Sequence, residues 1–213
     1  MQKESQNSRK IFCIGFQKTG TSSMRDALRM LGYSVTGSFH GSMPLDQMRD
    51  SFVKVGLEKA AQYDAVEDMP WPLMFRELDA EFPNAAFILT IRNSDNWLKS
   101  ITGHFGDKRD DIQRLTYGDD APAPLGHEEH YRSVYEAHNK AVIEHFRDRP
   151  DDLLVMDLEA GDGWDELGRF LGREDVPTGP FFHVNSARER TSLLNRIRSK
   201  LRGMGLPARN IAE

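Results

Sequence analysis

The sequence predicts an α/β fold, a three-layer sandwich in which a central parallel sheet carries helices on both faces. Two observations lead to this class. Strand-like apolar runs alternate with segments of helical periodicity along the whole chain. The apolar runs, most clearly Ala86–Ile91, have the composition of strands buried inside a protein. Ligands of such sheets bind beyond the carboxyl ends of the strands, so the candidate site consists of the residues that leave three of them, at 15–23, 68–70 and 92–100.

The amino-terminal half is predicted to contain two strands, Ile11–Gly15 and Ala65–Glu67. Its three predicted helices are Thr21–Leu31, Leu45–Tyr63 and Trp71–Phe82. The two strands are short apolar runs, and the helices have apolar residues at spacings of three and four. Gly32 is a typical helix stop after the first helix. Pro72 is tolerated because it lies in the first turn of the third helix.

The carboxyl-terminal half is predicted to contain two strands, Ala86–Ile91 and Asp152–Met156. Its predicted helices are Asn93–Phe105, Glu128–Phe146, Trp164–Leu171 and Ser186–Leu201. Asn93 or Ser94 supplies the side chain that caps the helix after Ala86–Ile91. Residues 106–126 are polar and rich in Asp, Gly and Pro, so they are expected to form a long surface loop or lid.

The composition favours a single domain over residues 1–213, with residues 1–9 expected to be flexible and 186–213 to form a helical extension. The net charge of −5 argues against a broad nucleic-acid-binding surface. The single cysteine, Cys13, has no partner within the chain, which is consistent with a reducing compartment. No apolar run has the length of a membrane span, and the first ten residues lack the apolar core of a signal peptide, so a cytoplasmic location is expected.

Residues 15–23, Gly-Phe-Gln-Lys-Thr-Gly-Thr-Ser-Ser, connect the first predicted strand to the first predicted helix. A glycine-containing loop in this position surrounds an anion with backbone N–H groups and a helix N-terminus. Gly15 and Gly20 have the spacing of a Walker A loop, but Thr21 stands where nucleotidases carry their lysine. The lysine here is Lys18, inside the loop. The pattern therefore predicts a phosphate site without a Mg²⁺-bound triphosphate; the alternative for Lys18 is a solvated loop lysine.

A second candidate phosphate site follows the strand Ala86–Ile91. Arg92 leaves the end of that strand, and Ser100 lies eight residues later, about two turns into the next helix. An arginine offers a planar set of donors suited to phosphate, and a serine adds a hydroxyl. The alternative is an arginine at the sheet edge and a serine on a solvated helix face. Together with the glycine loop, the pair favours a second phosphate contact.

These motifs resemble those of the PAPS-dependent sulfotransferases, whose donor is 3′-phosphoadenosine 5′-phosphosulfate. Their 5′-phosphosulfate loop, Lys-x-Gly-Thr-[Thr/Ser], matches residues 18–22, and their 3′-phosphate motif matches Arg92 and Ser100. The residues 167–185 also resemble the C-terminal part of one sulfotransferase-like subfamily, so the resemblance spans residues 10 to about 185. One departure is Ser23, which stands where the cytosolic enzymes carry a tryptophan that stacks on adenine.

The resemblance implies a P-loop NTPase-like topology and sulfuryl transfer from PAPS to a hydroxyl or amine by in-line displacement, with a small molecule or carbohydrate as acceptor. Lys18 would stabilise the charge that develops on the leaving oxygen. The implied donor-binding residues are Lys18, Thr19, Gly20, Thr21, Ser22, Ser23, Arg92 and Ser100. No metal is expected, because a sulfuryl group carries less negative charge than a phosphoryl group. The histidines, His104 among them, show no grouping at metal-ligand spacing.

The acceptor needs a general base, and Asp68 is the first candidate. It falls where the cytosolic sulfotransferases carry the catalytic histidine of His-Leu-Pro. The alternative role of Asp68 is an N-cap for the helix that follows. The adjacent Glu67 should point to the opposite face of the strand, so only one of the two would serve. His40 is the second candidate base or acceptor contact, although a lone histidine in a loop is usually solvated.

Two other functions stay open at this point. An atypical P-loop kinase or NTPase would use Asp68 as a Mg²⁺ ligand rather than as a base. A catalytically inactive homologue would bind a nucleotide or a partner without transfer. The position of Lys18 within the loop, and the arginine rather than aspartate after the strongest strand, favour the sulfotransferase.

Overall fold

The computed structural model describes residues 9–39 and 43–181. The strands are β1 (Ile11–Cys13), β2 (Val35–Thr36), β3 (Ala65–Val66), β4 (Ala86–Ile91) and β5 (Leu153–Asp157). The α-helices are α1 (Thr21–Met30), α2 (Leu45–Ala60), α3 (Phe75–Glu81), α4 (Ser94–Phe105), α5 (Asp111–Tyr117), α6 (Glu128–His145) and α7 (Trp164–Leu171). The predictions for residues 1–8, for His40 and for 182–213, including the C-terminal helix, lie outside the described residues.

The five strands form one sheet in the order β2-β3-β1-β4-β5, and each neighbouring pair is parallel. Ile11 of β1 is in register with Ala65 of β3 on one side and with Ala86 of β4 on the other. The prediction of an α/β fold with a parallel central sheet is therefore confirmed. Because β1 is the central strand, the loop that follows it lies between the segments that leave β3 and β4.

Two groups of apolar residues form the described core. The first packs against the sheet and includes Phe12 of β1, Phe87 of β4 and Phe146 at the end of α6. The second contains residues that follow the strands, including Phe16 and Trp97, together with tyrosines of α6. Within it the rings of Trp97 and Tyr135 stack with centroids 4.2 Å apart. This second group fixes α4 and α6 beneath the loops at the carboxyl edge of the sheet.

Three local predictions differ from the structure. The predicted loop over residues 106–126 contains α5, whose first turn is capped by Asp110 through a 2.8 Å bond from the N–H of Ile112. Strand β2 was not predicted, because two residues are too few to show a periodicity. The helix predicted over Trp71–Phe82 begins with a 3₁₀ turn, Trp71–Met74, and continues as α3.

Candidate donor site

The glycine loop begins where β1 comes closest to β4. A side chain at Gly15 would place its Cβ 2.1 Å from Oγ1 of Thr90 and 2.5 Å from the carbonyl oxygen of Thr90. Both distances are far below contact, so the position has no space for any residue larger than glycine.

Two residues of the loop have left-handed backbone conformations. Lys18 has a φ of 69° and Gly20 a φ of 109°, after which α1 begins at Thr21. A lysine rarely adopts such a φ, and backbone strain of this kind is concentrated at functional sites. The N–H groups of Thr21, Ser22 and Ser23 lie in the first turn of α1, where a helix provides no acceptor for them. The end of the loop is therefore an N–H cluster at a positive helix end, which suits an anion.

The loop is fixed to its surroundings through the side chains of Thr19 and Trp97. The hydroxyl of Thr19, which is 4% exposed, lies 2.6 Å from both the carbonyl oxygen of Phe16 and Oγ1 of Thr90. The indole N–H of Trp97 donates to the carbonyl of Gln17 at 2.9 Å. Thr19 thus anchors the loop to β4 through its hydroxyl, and its part in donor binding stays a prediction.

The structure brings Arg92 to the same loop. Its guanidinium donates to the carbonyl of Lys18 at 3.3 Å and forms an ion pair with Glu159. The hydroxyl of Tyr135 accepts from the N–H of Arg92 and donates to its carbonyl, both at 2.8 Å, which fixes the backbone of this residue. Ser100 is half-buried in the second turn of α4. Arg92 of the second motif therefore contacts Lys18 of the first, although the two residues lie 74 positions apart.

Residues Glu67 and Asp68 follow β3 at the same edge of the sheet and differ sharply in environment. Glu67 is fully buried; Oε1 accepts from Arg25 at 3.0 Å, and Oε2 has no hydrogen-bond partner. Burial, followed by the adjacent Asp68 carboxylate, raises the pKa of Glu67 to about 8, and Arg25 offsets this only in part. Asp68 is half-buried and has a left-handed φ of 72°. Strand β3 ends at Val66, so both residues lie beyond it, and the expectation that their side chains point to opposite faces stays a prediction.

The alternative role of Asp68 as a helix cap does not fit the structure. The residue before the 3₁₀ turn that opens the next helix is Pro70, and no side chain caps that turn. The carboxylate of Asp68 instead accepts from the N–H of Met69 at 2.9 Å. Its role as a base stays a prediction, as does the role of His40, which lies outside the described residues.

Two histidines near the loop have lowered pKa values. His138 of α6 stacks on Phe16 with ring centroids 4.3 Å apart, and its Nε2 lies 2.8 Å from the carbonyl oxygen of Ile14. Burial lowers the pKa of His138 to about 4, so the imidazole is neutral at pH 7. Its Nε2–H can then donate to the carbonyl of Ile14, directly before the loop. Partial burial, and then the positive charges of Lys18 and Lys108, lower the pKa of His104. The sequence patterns did not indicate that His104 lies within electrostatic reach of Lys18.

The hydrogen-bond donors of the site suit phosphate groups. Arg92 still has a buried Nε with no hydrogen-bond partner, and the first turn of α1 presents its N–H groups beside Lys18. The described residues contain no group of three or more His, Cys, Asp or Glu side chains that could hold a metal ion. What the arrangement offers is a set of cationic side chains and N–H donors that suits anions.

A separate cavity of about 670 Å³ lies between α2 and α5. Its lining mixes two methionines, Met43 and Met48, with charged side chains, among them Arg109 and Asp110. Neither Lys18 nor Arg92 lines it, so it is distinct from the candidate donor site.

The fold is that of an α/β protein with a central parallel sheet, in which a glycine-containing loop joins β1 to α1 at the carboxyl edge. A family model described as a sulfotransferase domain matches residues 10–121 and 112–190. These matches cover most of the chain, and the protein belongs to this sulfotransferase family. The family supports a sulfotransfer function, and the expected resemblance is confirmed.

A curated relative is Ava biosynthesis cluster protein M of Aspergillus versicolor, which is 32% identical over 107 residues. The similarity covers 43% of this chain and 41% of that protein. The chain thus matches about two fifths of the length of this relative. None of the helices described here is both long and apolar enough to cross a membrane.

Three residues of the site had no recognisable signal in the sequence: Thr90, Tyr135 and Glu159. Thr90 is a strand residue whose hydroxyl meets the loop, and Tyr135 belongs to a helix that crosses behind Arg92. Glu159 follows β5, and the exit of that strand was not among those expected to build the site. Placing it would have required the strand order, in which β5 is the neighbour of β4.

Proposed function

We propose that this protein transfers a sulfuryl group from PAPS to a hydroxyl or amine of a small-molecule or carbohydrate acceptor. Family membership supports sulfotransfer, and one structural observation supports this donor: Arg92 donates to the carbonyl of Lys18. A donor with phosphates at both its 5′ and 3′ positions needs two anion contacts on one ligand. Residues 18–23 would hold the 5′-phosphosulfate, and Arg92 with Ser100 would hold the 3′-phosphate.

In this reaction the bond between sulfur and the bridging phosphate oxygen breaks while a bond forms between sulfur and the acceptor oxygen or nitrogen. The product from the donor is adenosine 3′,5′-bisphosphate. Lys18 would stabilise the charge that develops on the leaving oxygen, and the N–H groups of the first turn of α1 would hold the 5′-phosphate. Asp68, exposed in part at the edge of the sheet, would accept the proton that the acceptor loses.

Calorimetric titration with adenosine 3′,5′-bisphosphate, run beside Mg²⁺–ATP, tests the donor. We expect micromolar binding of the bisphosphate that weakens about 10- to 100-fold in Arg92→Ala, because a charge-assisted hydrogen bond is removed. Arg147→Ala is the matched control, since Arg147 is a surface arginine with a side chain that is 65% exposed. Binding of Mg²⁺–ATP alone would move the protein to the kinase or NTPase class, and binding of neither would favour an inactive homologue.

The roles of individual residues are tested by transfer of labelled sulfate from PAPS in an acceptor screen. Lys18→Ala should lower kcat about 100- to 1000-fold by removing charge stabilisation. Asp68→Asn should lower it by a factor of about 100 to 10,000 if Asp68 is the base, and His40→Ala tests the second candidate. Activity unchanged in both Asp68→Asn and His40→Ala would refute the assignment of the base and leave the donor site in place. A fully active Lys18→Ala would refute the loop mechanism.

A further inference from the structure

Glu159 occupies a position that the proposed donor site needs for the 3′-phosphate. Its Oε1 forms an ion pair with the terminal nitrogen Nη2 of Arg92. The other terminal nitrogen of the guanidinium, Nη1, donates to the carbonyl of Lys18, and Nε is buried without a partner. The carboxylate of Glu159 is therefore the one anion among the described contacts of Arg92.

The carboxylate is held in this position by three elements. The turn after β5 is fixed because Oδ1 of Asp157 accepts from the N–H of Glu159 at 3.0 Å. Oε2 of Glu159 accepts from the side chain of Asn96 in α4, also at 3.0 Å. The preceding residue, Leu158, is buried against the glycine loop, since a Cβ on Gly20 would lie 2.5 Å from its Cδ1. The turn thus contacts the loop, α4 and Arg92 together, and the placement of the acid is built into the fold.

The ion pair is exchangeable. Arg92 and Glu159 have side chains that are 24% and 40% exposed, and partly exposed pairs of this kind contribute little to stability. A phosphate dianion carries more charge than a carboxylate and can take two parallel hydrogen bonds from a guanidinium. The backbone of Arg92 does not need the pair to stay in place, because Tyr135 already bonds both its N–H and its carbonyl. The carboxylate is thus a competitor for the guanidinium rather than its support.

We propose that the carboxylate of Glu159 occupies the guanidinium of Arg92 when no donor is bound and is displaced by the 3′-phosphate. This inference rests on the proposed function, because it assigns the 3′-phosphate to Arg92. The displaced carboxylate stays next to the bound phosphate and repels it, so Glu159 weakens the complex with adenosine 3′,5′-bisphosphate. Such weakening favours release of the product after transfer.

The test is calorimetric titration of the full chain with two ligands at fixed pH and salt: adenosine 3′,5′-bisphosphate and adenosine 5′-monophosphate, which lacks the 3′-phosphate. We expect Glu159→Gln to tighten binding of the bisphosphate about tenfold and to leave binding of the monophosphate within twofold. Glu144→Gln is the control for the loss of one negative charge. Glu144 lies on α6, its side chain is 64% exposed, and it pairs with Arg147.

The outcomes separate this inference from the proposed function. Wild-type protein that does not bind the bisphosphate refutes the donor site itself. Wild-type binding that is lost in Arg92→Ala but is unchanged or weakened in Glu159→Gln overturns only the inference, and weakening would mean that Glu159 orients Arg92 for the phosphate. Glu159→Ala, which cannot form an amide bridge to Arg92, is the second variant and should tighten binding at least as much as Glu159→Gln. Equal tightening in Glu144→Gln would also overturn the inference, because the effect would then come from net charge.

Discussion

The buried carboxyl of Glu67 should make the stability of the protein fall as the pH rises. Its pKa is about 8 in the folded protein and 4.5 as the ordinary value. Between these two values the folded state keeps a proton that the unfolded state has lost. The carboxyl therefore contributes stability that is fully present below pH 4.5 and is lost as the pH rises through about 8.

The size of the effect follows from the shift. A difference of 3.5 pH units between 8 and 4.5, at about 1.4 kcal/mol each, amounts to about 5 kcal/mol in the free energy of unfolding. Folded domains have a total stability of about 5–15 kcal/mol, so the loss should be large enough to measure. In Glu67→Gln this contribution to the pH dependence of the free energy of unfolding disappears, while the side-chain oxygen can still accept from Arg25.

Urea unfolding at pH 5, 6, 7 and 8, followed by the fluorescence of the three tryptophans, measures the effect. The difference in free energy of unfolding between wild type and Glu67→Gln should change by about 4 kcal/mol across this range, always in the direction that favours the variant at higher pH. Glu144→Gln removes an exposed carboxyl and should run parallel to wild type. Parallel curves for wild type and Glu67→Gln would refute the reasoning, because Glu67 would then ionise as it does in the unfolded chain.

Three further perturbations test the support of the site. The pKa of His138 is lowered from 6.5 to about 4, so its contribution to stability is present above pH 6.5 and is lost as the pH falls through about 4. In acid unfolding, wild type should therefore lose about 3 kcal/mol that His138→Gln does not lose. In thermal melts, Gly15→Ala should lower the free energy of unfolding by at least about 1–3 kcal/mol, because the added Cβ would overlap Thr90 of β4. Its control is Gly103→Ala in α4, where the added Cβ meets open space, and this variant should raise the free energy of unfolding by about 0.5–1 kcal/mol. Tyr135→Phe should weaken binding of adenosine 3′,5′-bisphosphate, because it removes the hydroxyl that holds the backbone of Arg92. Tyr131→Phe, on the same helix, removes a hydroxyl that donates to the carbonyl of Ala121 and should lower stability without changing that affinity.

The sequence predicted the elements whose signal is local. β4 was predicted with its observed bounds because it is a continuous apolar run, and α7 because its apolar face is periodic and a glycine follows it. β2 has two residues and no pattern, and it becomes a strand only because β3 lies beside it. The sequence predicted a loop where α5 lies, because the residues around it are rich in Asp and Gly. Asp110, which caps α5, is the signal that could have indicated the helix.

The same distinction explains which parts of the candidate site were predictable. Lys18 and Arg92 each follow a strand, and the rule that parallel strands present their carboxyl ends at one edge was sufficient to expect them together. Tyr135 and Glu159 reach Arg92 from elements that are 43 and 67 residues further along the chain, and no spacing rule connects them to it.

The contrast between Glu67 and Asp68 shows the same limit on a single pair. Alternation along a strand led to the expectation that the two side chains point to opposite faces, but β3 ends at Val66 and Asp68 has a left-handed φ of 72°, so the pair lies beyond the strand. Alternation also gave no indication of which carboxyl is buried, since that depends on the packing that buries Glu67 fully and on α1, which places Arg25 within 3.0 Å of it. The direction of a pKa shift is set by what surrounds a carboxyl in space, so a motif can nominate an acid while only the packed structure determines whether it is charged.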